Sequence, residues 1–75
     1  MYEIIKLKEK LPVYGLMEGC IGTIIYEHKP GKLYEAEFLS LKNEMSLTIC
    51  LKSDQFEVLT ANEISDLKTI SFLIT

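Results

Sequence analysis

After Ile4, the segment EIIKLK alternates apolar and charged side chains, with Ile5 and Leu7 on one face and Lys6 and Lys8 on the other. A period of two predicts a half-buried strand, because successive side chains leave a pleated backbone on opposite sides. CIGTIIYE is rich in β-branched residues and predicts a second strand. Strict alternation there puts Ile21, Thr23 and Ile25 on one face and Cys20, Ile24 and Tyr26 on the other. Both faces carry apolar groups, so this strand is expected to be covered in part on each side. LYEAEFLSL alternates cleanly, with Tyr34, Ala36 and Phe38 inward and Glu35 and Glu37 outward. SLTICLK repeats the pattern, with Leu47, Ile49 and Leu51 inward and Ser46, Thr48, Cys50 and Lys52 outward. SDQ suits a single helical turn, and FEVLT a last short strand carrying Phe56 and Val58.

The connections carry their own signals. In HKPGK, proline fixes the second turn position and glycine tolerates the positive φ of the third, which predicts a type II turn. KNEM is a second, less distinctive turn. EKLPVYGLMEG is interrupted by Pro12 and Gly15, yet holds Leu11, Val13, Leu16 and Met17. Such an apolar loop is expected to fold back over one end of the domain. Gly19 can supply a positive φ where the second strand begins. Gly22, inside that strand, points to a bulge or to a sharp coil where another backbone approaches. Five short strands joined by hairpins predict an all-β domain over residues 1–59, a small antiparallel barrel.

Residues 60–75 form an extension that packs on the barrel or on a partner. Thr60 and Glu63 have capping-box spacing, Asn62 is an alternative cap, and Ile64 and Leu67 fall on one helical face. Ile70, Phe72 and Ile74 then alternate, which predicts an extra strand after a short helix. ISFLI is too apolar to stay in water, so it either completes the barrel or contacts another chain, a homodimer among the options.

Composition narrows the function classes. At 75 residues the chain makes one domain, with room for a single buried layer and little for a deep catalytic cleft. Its net charge is −3, and all eight basic residues are lysine. Without arginine or a basic excess, nucleic-acid binding is disfavoured. The N-terminus lacks the apolar run of a signal peptide, and no run is long enough to cross a bilayer, so the expected location is the cytoplasm without membrane attachment. Cys20 and Cys50 are too few for a disulfide framework and read as ordinary thiols.

The residues Leu11, Pro12, Gly15, Leu16, Gly19, Gly22 and Thr23, followed by Tyr34, Glu35, Glu37 and Phe38, give the chain a resemblance to the bacterial domain-of-unknown-function family DUF4926. LKSDQFEVL, residues 51–59, fits that family's closing strand and turn. The resemblance implies an SH3-like barrel and supplies no catalytic residues to carry over. Cys20 and the apolar tail depart from the family pattern. The Gly19, Gly22 and Ile24 spacing is also similar to KOW-type segments of nucleic-acid-associated barrels, a shared way of coiling a strand. The acidic balance argues against that function here.

No catalytic constellation emerges. His28 is the single histidine, sits beside the turn, and has Glu27 on the opposite strand face, which reads as an exposed turn residue. One histidine leaves a tetrahedral zinc site within the chain short of common ligands, so no metal or other cofactor is expected. Glu35 and Glu37 read as a solvated acidic ridge suited to docking a basic partner, or to pairing with the Lys6, Lys8 and Lys10 row. The expectation is a non-enzymatic protein-binding module acting through Tyr14, Leu16, Met17, Glu35, Glu37 and Phe72. A sharper alternative is an immunity-type protein that neutralises a basic toxin.

Overall fold

A computed structural model describes residues 3–39 and 45–74, with the side chains of the C-terminal helix described as far as Leu67. The strands are β1 (Ile4–Leu7), β2 (Ile21–Lys29), β3 (Leu33–Leu39), β4 (Ser46–Lys52) and β5 (Phe56–Val58), followed by helix α1 (Ala61–Ile74). They form one antiparallel sheet in the order β4-β3-β2-β1-β5. The KNEM turn lies largely outside the described residues.

The inner face is the one the alternation predicts. Ile5, Leu7, Leu16, Ile24, Ala36, Phe38, Ile49, Leu51 and Phe56 form a single buried cluster. Among the described residues no second sheet or helical side chain covers them, yet Ala36, Phe38 and Leu51 are at most 1% exposed. A lone sheet reaches such burial by curling over its own inner face. Tyr34 on β3 meets Phe56 on β5 edge to face, with centroids 5.3 Å apart, across strands that are not neighbours in the ladder. No ladder joins the edges β4 and β5 among the described residues, so the expected barrel is a curled sheet that hydrogen bonds do not close. A 3₁₀ turn, Ser53–Gln55, links those two edges, as the SDQ segment predicts.

Two local turns follow the sequence closely. Lys32 N–H donates to the Lys29 carbonyl at 2.8 Å, and Gly31 has φ 73°, as a Pro-Gly type II turn requires. At the other end, Leu11 and Leu16 close the long loop with backbone bonds in both directions, 2.8 and 3.2 Å. Leu16 then inserts into the core.

Three expectations are corrected. Gly22 is in register with Phe38 and is not a bulge; a Cβ there would sit 2.5 Å from Phe38 Cε1, so glycine makes room for a ring. The irregularities of β2 fall instead between Ile24 and Tyr26 and between Glu27 and Lys29, at Ile25 and His28. One extra residue flips the face of everything after it, so Tyr26 turns outward and is exposed although Ile24 is buried. The predicted C-terminal strand is also absent, because α1 runs through Ile74. Thr60 and Glu63 exchange capping hydrogen bonds at its start, and no proline or glycine follows to end it.

Candidate functional site

The chemistry-bearing residues separate to opposite ends of the sheet. At the loop end, the backbone of residues 11–20 is held by Tyr14 N–H to the Leu11 carbonyl, Gly15 N–H to Pro12 and Cys20 N–H to Met17, at 3.0, 3.0 and 3.1 Å. Gly15 caps the Pro12–Tyr14 3₁₀ turn with φ 71°. This frame pulls Leu16 inward and turns Val13, Tyr14 and Met17 outward, at 90%, 47% and 65% exposure. Ile21 begins β2 beside this loop, Leu39 ends β3, and Met45 precedes β4, all three exposed at the same end of the sheet. A shallow depression runs among Ile4, Ile21, Thr23 and Leu39.

The turn end carries polar chemistry. The bulge at His28 brings its ring to the outer face beside Glu35, with Nε2 and Oε1 3.1 Å apart. Tyr26 packs edge-on against that imidazole, with centroids 4.7 Å apart. Glu35 pairs directly across the ladder with Cys50. Single ligand atoms from His28, Glu35 and Cys50 all lie within 4.8 Å of one another. The two ends of β2, Ile21 and Lys29, lie roughly 26 Å apart at the rise of an extended strand.

Of the six expected contact residues, Tyr14 and Met17 are exposed together, and Val13 joins them although the alternation gave it no special weight. Leu16 is not available to a partner, because it is 7% exposed within the core. Its burial follows from the backbone pair with Leu11, a contact that no periodic pattern encodes. Glu37 is exposed opposite Thr23, while Glu35 is half-buried and engaged by His28. The two glutamates therefore do not act as one free acidic ridge. Phe72 lies on α1, and its side chain is outside the described residues. Lys6 pairs with Glu57 of β5 at 3.2 Å; β2 separates the lysine row from Glu35 and Glu37.

Cys20 is half-buried against the core, and its sulfur accepts a hydrogen bond from Met17 N–H at 3.3 Å. Cys50 is exposed, and both cysteines are free thiols. Among the described residues, no helix is long and apolar enough to cross a membrane. No curated protein and no solved structure matches the chain significantly. A family model does match it over residues 1–58, the part that holds all five strands and the buried cluster from Ile5 to Phe56, and the chain belongs to that family, the domain of unknown function DUF4926.

Proposed function

We propose that the protein is a non-enzymatic protein-binding module whose contact surface is the loop end of the sheet. The observation that carries this reading is the outward display of Val13, Tyr14 and Met17 on a loop whose backbone is already fixed by hydrogen bonds. Apolar side chains on a flexible loop would collapse together or onto the core. Here the backbone holds them in water, at a cost that burial against a partner would recover. A pre-ordered loop also loses little conformational entropy on binding, which leaves more of the contact energy as affinity. Tyrosine beside aliphatic anchors is the composition that interface centres favour.

The net charge of −3 favours a partner with basic side chains around its own apolar patch. An immunity-type role against a basic toxin is the sharper form of this reading. The free thiols suit a reducing cytoplasm, where such a complex would form.

The test compares wild type with the double variant Val13→Asp, Met17→Asp. Both positions are exposed, so thermal stability should be unchanged. A partner isolated from the native host and then purified should lose roughly tenfold or more in affinity for the double variant, equivalent to about 1.4 kcal/mol. An unchanged dissociation constant ends the reading.

A further inference from the structure

We propose that His28, Glu35 and Cys50 form a three-ligand Zn²⁺ site on the outer face of the sheet. Three strands supply one donor each: His28 Nε2 from β2, a Glu35 carboxylate oxygen from β3 and Cys50 Sγ from β4. The ladder fixes two of them, because Glu35 and Cys50 are direct cross-strand partners. The bulge supplies the third by bringing His28 alongside Glu35.

The spacing suits a small tetrahedral ion. Metal–ligand bonds of about 2.0–2.3 Å put neighbouring ligand atoms roughly 3.3–3.8 Å apart. The His28 and Glu35 atoms stand at 3.1 Å, and all three donors fall within 4.8 Å. Rotamer adjustments of about an ångström then complete the geometry, with water in the fourth position. A nitrogen, an oxygen and a thiolate sulfur form a borderline donor set that suits zinc and is foreign to calcium or magnesium. On binding, the Cys50 thiol proton passes to solvent and the sulfur coordinates as thiolate.

A surface ion pair between His28 and Glu35 accounts for two of these residues and leaves the third unexplained. Free cysteine is ordinarily among the most buried of side chains. Cys20 conforms to that rule through its contact with the core and its hydrogen bond, whereas Cys50 stands in water on a strand face otherwise bearing Ser46, Thr48 and Lys52. The Tyr26 ring buttresses the imidazole at its place beside Glu35. A metal bound here would clamp β2, β3 and β4 at the turn end, far from the proposed partner surface.

Metal-free protein titrated with Co²⁺ under reducing conditions provides the test. The expected result is one ion per chain, with a thiolate-to-cobalt charge-transfer band that Zn²⁺ abolishes by displacement. Cys50→Ser should remove the band and Cys20→Ser should retain it. His28→Ala and Glu35→Gln should each weaken binding at least tenfold. Circular dichroism should show every variant folded, since the ligands are exposed or half-buried. Loss of the band in Cys20→Ser, one ion shared by two chains, or uptake only at millimolar metal would each overturn the assignment. Loss of the loop-end partner in Val13→Asp, Met17→Asp leaves these readings unaffected, so the two proposals fail separately.

Discussion

Gly22 shows how much one missing side chain decides. It faces Ile5 on one side of the ladder and Phe38 on the other, and the Phe38 ring occupies the space a Cβ would need. That ring is 1% exposed inside a curled sheet and has nowhere to retreat. Gly22→Ala should therefore destabilise the fold by about 2 kcal/mol, within the range expected for overpacking a core, as read by urea denaturation. Shortening the ring in Gly22→Ala, Phe38→Leu should restore part of the loss. A neutral Gly22→Ala would remove the ring as the reason for glycine. The sequence flags this position as unusual but does not say what approaches it, because the neighbour is sixteen residues away and is set by register.

Among whole elements, legibility depended on whether alternation stayed unbroken. β1, β3 and β4 have the faces their period predicts, down to the burial of Ile5, Leu7, Ala36, Phe38, Ile49 and Leu51. In β2 the bulges at Ile25 and His28 break the period, so the sequence misplaces Tyr26 and leaves His28 apart from Glu35. Bulges arise from a mismatch between two strands, and neither strand announces them alone. The tail failed for a related reason: a three-residue alternation cannot compete with a well-capped helix that meets no breaker. The cap itself is testable by titration. Thr60 N–H donates to the Glu63 carboxylate at 3.0 Å, and Glu63 N–H donates to Thr60 Oγ1 at 3.2 Å. The Thr60 backbone bond, with its hydroxyl second, holds the Glu63 carboxyl below its ordinary value. A depressed folded value means that the cap's contribution is present above the unfolded glutamate value of about 4.3 and is lost as pH falls through the lower folded one. Carboxyl NMR should show Glu63 titrating below the ordinary glutamate value, and Thr60→Ala should move it upward. Titration of Glu63 at the ordinary value would refute the cap.

At the scale of the whole molecule, the family match and the core end almost together. The match stops at residue 58, and the buried cluster reaches no further than Phe56, with Leu59 tucked in behind it. Of the described side chains of α1, Ile64 is half-buried and Leu67 is 39% exposed, and neither joins that cluster. Among the described residues, the sheet obtains its burial by curling on itself and by the inserted Leu16, and no helical side chain as far as Leu67 joins the cluster. A chain ending at Thr60 should fold on its own, although domains of about 60 residues bury a small share of their surface and stay marginal. It should keep a single cooperative urea transition with a midpoint close to that of the full chain, while losing only helical signal in circular dichroism. The same truncation should retain both the Val13 and Met17 surface and the His28, Glu35 and Cys50 donors, since the described hydrogen bonds that position them lie within the sheet or the first loop. A non-cooperative or unfolded truncation would show that α1 covers part of the core. The curl would then be half of a two-layer fold.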